Sequence, residues 1–197
     1  MRNKYITGID EAGRGPIAGP VAVGVVIMKL TTYNQRQIIF RGIRDSKQLT
    51  EKKREWWFGK IKKLKKEKIL DFRVSLVSEK TIDEKGIVFA IRKGIYSSLL
   101  SLKVGKDAQI LLDGSLKAPA RYKYQKTIIR GDEKKPVISA ASIMAKVVRD
   151  RHMKKIAEKH PDYAFEKHKG YGTKEHYRRI KKHGLSKIHR RSFLGRK

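Results

Sequence analysis

The sequence predicts an α/β fold, with a mixed central β-sheet flanked by helices and a small helical C-terminal extension. Short apolar runs rich in valine and isoleucine alternate, along 197 residues, with longer segments of helical periodicity. The chain after Pro161 differs in character because it is short, basic and rich in histidine. We therefore expect residues 1–160 to form the main domain and residues 161–197 to form an extension that packs on it.

Two strands are predicted near the N-terminus, at residues 5–10 and 21–28, because both runs are apolar and the second is rich in β-branched side chains. The first strand ends at Asp10, which Glu11 follows. Glycines and prolines fill the segment between the strands, as is typical of a turn-rich loop. We expect a hairpin whose long connector begins at the two acids.

Helices and strands alternate through the rest of the chain. Thr50 can cap a helix over residues 51–68, whose buried face is expected to include Trp56 and Trp57. A helix over residues 81–102 has Val88 among its apolar positions. The other predicted helices cover residues 137–159 and 174–182, and the other predicted strands cover residues 69–76, 109–112 and 124–129.

The charge of the chain indicates a polyanionic partner. Lysine and arginine number 49 and aspartate and glutamate 19, which gives a formal net charge of +30. Nucleic acid is the expected partner of so basic a protein. A general lysine-rich composition is the alternative explanation, and the two can coexist.

The absence of cysteine excludes disulfides and thiolate metal sites. The N-terminus has no apolar run of the kind found in signal peptides, and no stretch approaches the roughly 18 apolar residues of a membrane span. We expect a cytoplasmic protein with no membrane partner.

Four acids lie where predicted strands end: Asp10, Glu11, Asp113 and Asp132. Ligands and catalytic groups of open α/β sheets collect at strand ends. Carboxylates brought together there repel one another, and Mg²⁺ or Mn²⁺ would relieve the repulsion. Asp10 and Glu11 are adjacent, however, so both reach one site only if the strand breaks there. The alternative is that these acids cap turns or pair with surface lysines.

Six motifs resemble those of the ribonuclease HII family, in order and over nearly the whole chain. They are GIDEAGRGPIAGPV at residues 8–21, DSKQL at 45–49, LDG at 112–114, GD at 131–132 with SAASIMAKVVRD at 139–150, HKGYGT at 168–173 and HRRSF at 189–193. Two positions depart from the family pattern, since Gly86 replaces the usual Asn and the segment around Leu185 lacks the usual prolines.

The resemblance implies an RNase H-like fold and two divalent ions, Mg²⁺ or Mn²⁺, held by Asp10, Glu11, Asp113 and Asp132. It implies a monomeric endoribonuclease that hydrolyses the RNA strand of RNA–DNA hybrids. It also implies cutting 5′ to single ribonucleotides embedded in duplex DNA, which leaves 3′-hydroxyl and 5′-phosphate ends. Ribonucleotide excision repair and DNA replication are the roles that the family suggests.

The resemblance also implies substrate-binding residues. The loop of Gly13, Arg14 and Gly15 is expected to touch the 2′-hydroxyl, which distinguishes RNA from DNA. Tyr171 is expected to stack on a sugar or base. Lys47 is expected to neutralise a phosphate. A tight structural turn and a tyrosine packed under its loop are the corresponding alternatives, and Arg14 could instead bind a phosphate.

The C-terminal extension is expected to contribute to substrate binding through basic residues that grip the duplex backbone: Lys167, Lys169, Arg178, Arg179, Arg190 and Arg191. Asp150 is expected to be a structural ion-pair partner, and Ser139 and Ser142 to serve close packing. All six histidines follow residue 150, but their long spacings and the absence of cysteine disfavour a zinc site.

Two other functions remain open. A ribonuclease of the HIII type would share the fold but usually carries an extra N-terminal domain, for which a signature beginning at residue 8 leaves no room. A non-catalytic duplex-binding protein would use the acids only as structural groups.

Overall fold

A five-stranded mixed sheet forms the centre of the computed structural model, which describes residues 4–35 and 37–195. Its strands lie in the order β3-β2-β1-β4-β5. The first three pair antiparallel, and β1, β4 and β5 run parallel to one another. The strands are β1 (Tyr5–Ala12), β2 (Val21–Lys29), β3 (Leu70–Val77), β4 (Gln109–Asp113) and β5 (Gln125–Ile128). The predicted mixed sheet is confirmed.

Eight α-helices are assigned in the described part of the chain. They are α1 (Leu30–Gln35), α2 (Glu51–Lys66), α3 (Glu79–Lys85), α4 (Ile87–Ser101), α5 (Gly131–Lys134), α6 (Pro136–Lys159), α7 (Phe165–His168) and α8 (Lys174–His183). Short 3-10 turns cover Gln37–Phe40, Pro161–Tyr163 and Arg191–Phe193. Thr50 caps α2 as expected, since its hydroxyl accepts a hydrogen bond from the backbone N–H of Lys53.

The sheet is buried on both faces. One face packs against α2 and α6 through residues such as Ile6, Ile61 and Ile143. The other packs against α4 through residues such as Ile9 and Ile95. Because side chains alternate along a strand, Ile6 and Ile9 of β1 lie in different cores. The same alternation decides which face each acid occupies.

The segment after α6 contacts the loop that joins β1 to β2. Ala18 forms an isolated antiparallel bridge with His189, and the backbone N–H of Arg190 donates to the carbonyl of Ile17 at 2.7 Å. A third apolar cluster joins Ala18 and Met153 to Phe165. The Gly- and Pro-rich loop therefore lies between the sheet and the C-terminal segment.

Two helix predictions were wrong in detail. The helix expected over residues 81–102 is two helices, because Gly86 between them has φ +83° and ψ 159°, a backbone conformation that other residues rarely adopt. Trp56, expected on the buried face of its helix, is 61% exposed, and Val88, one of the apolar positions of the other helix, is 50% exposed. Trp57 is buried as predicted, in the core that α2 shares with α6.

Among residues 4–35 and 37–195, no helix combines the length and the apolar character needed to cross a lipid bilayer.

Candidate active site

Asp10 lies on the face of the sheet that packs against α6. Two glycines of the sheet let this helix approach closely: a Cβ on Gly8 would lie 2.2 Å from the carbonyl oxygen of Val137, and one on Gly24 would lie 2.2 Å from that of Ala141. The contact brings the hydroxyl of Ser142 beside the buried Asp10 carboxylate. Asp10 also accepts a hydrogen bond from the backbone N–H of Glu11 at 2.7 Å.

The position of Asp113 beside Asp10 follows from the register of the parallel strands β1 and β4. Ile9 pairs with Leu112, so the next residues, Asp10 within β1 and Asp113 at the end of β4, lie side by side on the same face. Asp113 accepts hydrogen bonds from the backbone N–H groups of Gly131 at 2.7 Å and Asp132 at 3.3 Å. These bonds fix the start of α5 against the end of β4.

Three of the predicted carboxylates therefore meet. Asp10, Asp113 and Asp132 each offer a ligand atom, and these atoms lie within 4.8 Å of one another. Asp10, in the first strand, is more than 100 residues away in sequence from the other two, Asp113 at the end of β4 and Asp132 in α5. Carboxylate oxygens are the ligands that Mg²⁺ and Mn²⁺ prefer, so this donor set fits a hard divalent cation.

The electrostatics of the cluster favour a cation. Burial raises the pKa of Asp10 well above its ordinary value, and the charges of Glu11 and Asp113 raise it further, while the Ser142 hydroxyl lowers it. Burial also raises the pKa of Asp132 to about 7, and the charge of Asp113 adds to the rise. The charged forms of these acids are thus destabilised where they stand, and a divalent cation would offset this repulsion.

Glu11 is the fourth predicted acid, and it does not belong to the group of mutually close ligand atoms. The break expected at the acids is absent, because β1 continues in register to Ala12 opposite Ala22. Glu11 accordingly points to the opposite face from Asp10, and its carboxylate lies 3.5 Å from Nη1 of Arg14. Burial raises the pKa of Glu11, the charge of Arg14 lowers it and that of Asp113 raises it, so Glu11 still lies within electrostatic reach of the cluster.

The segment before α2 brings Lys47, which was predicted to bind substrate, beside the carboxylates, together with Asp45, an acid that was not predicted to belong to the site. Nζ of Lys47 lies 3.8 Å from Asp132. Partial burial lowers the pKa of Lys47, but the charges of Asp45 and Asp132 outweigh it and raise the pKa overall. Asp45 is buried, and its carboxylate accepts a hydrogen bond from the backbone N–H of Lys47 at 3.1 Å. The sequence signal that could have indicated Asp45 is its place as an acid within a polar turn.

The two serines of α6 do more than pack. The Ser142 hydroxyl is 2.8 Å from that of Ser46, which links α6 to the turn that carries Lys47. Ser139 donates a hydrogen bond of 2.6 Å to the carbonyl of Asp132. Both serines therefore hold site segments in place.

The predicted substrate-binding loop lies beside this cluster. Arg14 and Gly15 are exposed, whereas Gly13 is buried with φ +88°. Tyr171 is 43% exposed, and the Nζ of Lys146 lies 5.9 Å from its ring centroid. Lys146 also pairs at 2.8 Å with Asp150, which is the structural ion-pair partner expected.

The C-terminal basic residues differ from one another. Arg190 was expected to grip a duplex, but its side chain is completely buried and donates to backbone carbonyls. Arg178 and Arg179 both pair with Glu175, at 2.5 Å and 2.7 Å. Lys167 and Arg191 are exposed.

Three histidines, of which His176 and His189 are buried, form a network that the sequence did not indicate. The backbone N–H of Ser186 donates to Nδ1 of His189, so Nε2 of His189 carries the proton and donates to Nε2 of His176 at 3.0 Å. His176 in turn donates from Nδ1 to the carbonyl of Tyr171. His168 stacks on His176 with ring centroids 4.3 Å apart. The nitrogens of His176 and His189 thus have partners within the protein, which suits neutral rings better than metal ligands.

Solved structures and curated proteins resemble the chain closely. The crystal structure of ribonuclease H2 from Pyrococcus horikoshii OT3 superposes with a TM-score of 0.72 at 32% identity, covering 95% of this chain and 93% of that one. A ribonuclease HII of Clostridium beijerinckii is 45% identical over 97% of this chain and 68% of its own length. One of Caldicellulosiruptor saccharolyticus is 46% identical over 97% of this chain and 87% of its own length.

The mixed sheet with its carboxylate cluster, taken with these relatives, defines a metal-dependent ribonuclease H. The predicted RNase H-like fold is confirmed. The family model of ribonuclease HII matches residues 7–195. The chain belongs to the ribonuclease HII family, whose members cleave the RNA strand of RNA–DNA hybrids.

Ribonuclease HIII shares the fold at greater distance. The crystal structure of Bst-RNase HIII in complex with Mn²⁺ superposes with a TM-score of 0.67 at 15% identity, covering 97% of this chain and 67% of that one. A likeness at this identity concerns the fold alone.

Proposed function

We propose that this enzyme also nicks duplex DNA 5′ to single embedded ribonucleotides, with two divalent cations, Mg²⁺ or Mn²⁺, held by Asp10, Glu11, Asp113 and Asp132. The observation that carries the proposal is the meeting of three carboxylates within 4.8 Å in a protein of net charge +30. Lysine and arginine are abundant in this chain and would be expected to pair with its acids. Asp10 and Asp113 nevertheless form no ion pair among residues 4–35 and 37–195.

The donor set fits the cations because it consists of carboxylate oxygens. When bound, divalent ions activate the attacking water and neutralise the charge that develops on the leaving oxygen. Asp10 is held by the Glu11 N–H, and Asp113 by the first turn of α5, so both ligands are oriented before an ion binds. Glu11, which pairs with Arg14 at 3.5 Å, would complete the set from the other face of β1.

The reaction is hydrolysis of one phosphodiester bond. The oxygen of water bonds to phosphorus, the bond from phosphorus to the 3′ oxygen breaks, and that oxygen takes up a proton. The products are a 3′-hydroxyl and a 5′-phosphate. Such nicks would open a ribonucleotide for excision repair and for removal during DNA replication.

The neighbouring residues select and place the substrate. The loop of Gly13, Arg14 and Gly15, which is exposed at Arg14 and Gly15, approaches the 2′-hydroxyl, since glycine presents no Cβ to obstruct a ribose. Lys47 places its charge near a non-bridging phosphate oxygen. Tyr171 stacks on the adjoining sugar or base, and the extension of residues 161–197 contributes basic side chains to the duplex backbone.

A cleavage assay tests the proposal. Purified enzyme with Mg²⁺ or Mn²⁺ is incubated with a DNA duplex that contains one ribonucleotide and, separately, with a long RNA–DNA hybrid. We expect a nick 5′ to the ribonucleotide. Asp10→Asn should lower the activity by a factor of at least about 10³, because a cation ligand is lost. Asp71→Asn, at an exposed acid paired with Lys65, is the matched control and should keep wild-type activity.

Three outcomes would contradict parts of the proposal. An intact single-ribonucleotide duplex beside a cleaved hybrid would favour the specificity of a ribonuclease HIII type. Binding without any cleavage, unchanged by a Mg²⁺ titration, would favour a non-catalytic duplex-binding protein. Full turnover by Asp10→Asn would overturn the assignment of the metal site.

A further inference from the structure

Two arginines lie buried behind the loop of residues 13–20. Arg149 of α6 and Arg190 of the C-terminal segment are both 0% exposed. In the described part of the chain, neither guanidinium pairs with a carboxylate. Burial, together with the charge of Arg149, lowers the pKa of Arg190 to about 9. Burying two cations without acids is costly, so their hydrogen bonds must offset a large desolvation cost.

Those hydrogen bonds go to the backbone of one loop. Arg190 donates from Nε to the carbonyl of Gly19 at 2.8 Å, from Nη1 to that of Arg14 at 3.0 Å and from Nη2 to that of Gly13 at 2.7 Å. Three carbonyls, from two separated points of the loop, thereby converge on one planar group. The fork geometry of guanidinium makes this possible, since five N–H donors point in fixed directions.

Arg149 completes the arrangement from the helix side. It donates from Nε to the carbonyl of Pro20 at 2.9 Å and from Nη2 to that of Ala18 at 3.3 Å. Its Nη1 reaches the carbonyl of Lys169 at 3.0 Å, two residues before Tyr171. The two arginines therefore connect the Gly13–Gly15 loop with the loop that carries Tyr171.

The position of Gly13 shows how tightly the loop and the arginine fit. An added Cβ would lie 1.9 Å from Nε of Arg149. Gly15, in contrast, has nothing within 4 Å of the corresponding point. Within the described chain, no backbone or side-chain acceptor receives the N–H of Arg14 or Gly15. Arg190 thus fixes the carbonyls of Gly13 and Arg14, while the N–H groups of the exposed residues Arg14 and Gly15 have no acceptor among residues 4–35 and 37–195.

We infer that Arg149 and Arg190 are positioning residues that hold the Gly13–Gly15 backbone in the conformation that contacts the ribose. The inference rests on the proposed function, because it gives that loop its task. The arginines touch no substrate. They act by fixing the loop before the substrate binds, so that the ribose and the reacting phosphate are held in the geometry that the reaction needs.

Arg149→Lys and Arg190→Lys test this, since lysine keeps the charge but loses the planar fork. We expect kcat on a single-ribonucleotide duplex to fall by about tenfold or more, because even a small misplacement of a reacting group lowers the rate of the chemical step strongly. KM and the Mn²⁺ concentration for half-maximal activity should stay within about twofold, because phosphate contacts and the carboxylates are unchanged. Arg73→Lys, at an exposed position of β3, is the matched control and should match wild type.

Circular dichroism and thermal melting establish that each variant folds. If a lysine variant fails to melt cooperatively, Gly19→Ala replaces it. Gly19 has φ +79°, a backbone conformation that alanine rarely adopts, so this substitution strains the backbone at the carbonyl that Arg190 binds. The same loss of kcat at an unchanged Mn²⁺ midpoint is expected.

Folded variants that keep wild-type kcat, or that lose kcat and Mn²⁺ response together, overturn the inference and leave the proposed function standing. A wild-type enzyme that cuts no ribonucleotide-containing duplex overturns the proposed function and the inference with it.

Discussion

Asp10 must be buried as a charged group beside two other carboxylates, and this conflict has a measurable consequence. Its pKa is raised by burial and by the charges of Glu11 and Asp113, so the ionised side chain opposes folding when no cation is present. Asparagine has the same shape without the charge. Sites built for function commonly reduce stability in this way.

We therefore expect Asp10→Asn to be more stable than wild type in the presence of a chelator, by about 1 kcal/mol. The measurement is urea unfolding at pH 7.5, with and without Mg²⁺. Mg²⁺ should stabilise wild type more than the variant, because binding to the folded state alone adds to its stability. Asp71→Asn controls for the loss of an exposed acid. A destabilised Asp10→Asn in chelator would show that the carboxylates do not repel one another as described.

Single residues of the site could be predicted where a motif and a strand end coincide. Asp113 and Asp132 are examples, because the register of parallel strands brings strand ends together whatever the distance in sequence. Arg190 could not be predicted, since a basic residue in a basic tail resembles a phosphate contact until the fold buries it. Glu11 could be predicted only in part. The face of the sheet on which its side chain lies depends on whether β1 breaks at the acids or continues past them.

At the scale of elements, α8 is joined to the C-terminal segment by the hydrogen bond between His176 and His189. This bond requires one ring nitrogen to accept, so protonation of His176 would set two N–H groups against each other. Burial lowers the pKa of each histidine from its ordinary value of 6.5 to about 4. Between about pH 4 and pH 6.5, these two histidines therefore bind protons in the unfolded chain but not in the folded protein.

It follows that the free energy of unfolding should decrease as the pH falls from 6.5 towards 4, and should not depend on these histidines above pH 7. Urea unfolding at pH 7, 6 and 5 measures the effect. His176→Gln should be less stable at pH 7 but lose less stability on acidification. His183→Gln, at an exposed position of the same helix, should keep the wild-type pH dependence. Equal slopes for all three proteins would exclude the buried pair as its source.

Elements with strong local signals were predicted well. Thr50 at the start of α2 and Pro161 after α6 act on the backbone directly, so both helices lie within two residues of the expected bounds. The division at Gly86 was missed because apolar periodicity continues across it, while the backbone there turns through a conformation reserved for glycine. Trp56 was misplaced because two adjacent tryptophans cannot both face one core.

For the whole molecule, the net charge of +30 predicts binding that depends steeply on salt. Each phosphate neutralised on B-form DNA contributes about −0.9 to the slope of log K against log salt concentration. The charge is spread over the entire surface, however, so only the lysines and arginines that meet the duplex affect the slope. Lys167 and Arg191, exposed beyond the loop that Arg190 holds, are the proposed contacts.

Fluorescence anisotropy with a labelled duplex, without divalent ions, tests which surface is used. Replacing Lys167 and Arg191 by Gln should reduce the magnitude of the slope by about 2, one unit for each lost phosphate contact. Replacing Lys63 and Lys66 by Gln is the matched control with the same loss of charge. That end of α2 lies by a cleft that Tyr5 and Lys68 line, at the opposite end of β1 from Asp10. Equal reductions in the two double variants would mean that the overall field of the protein, and not a defined track beside the acids, governs its binding.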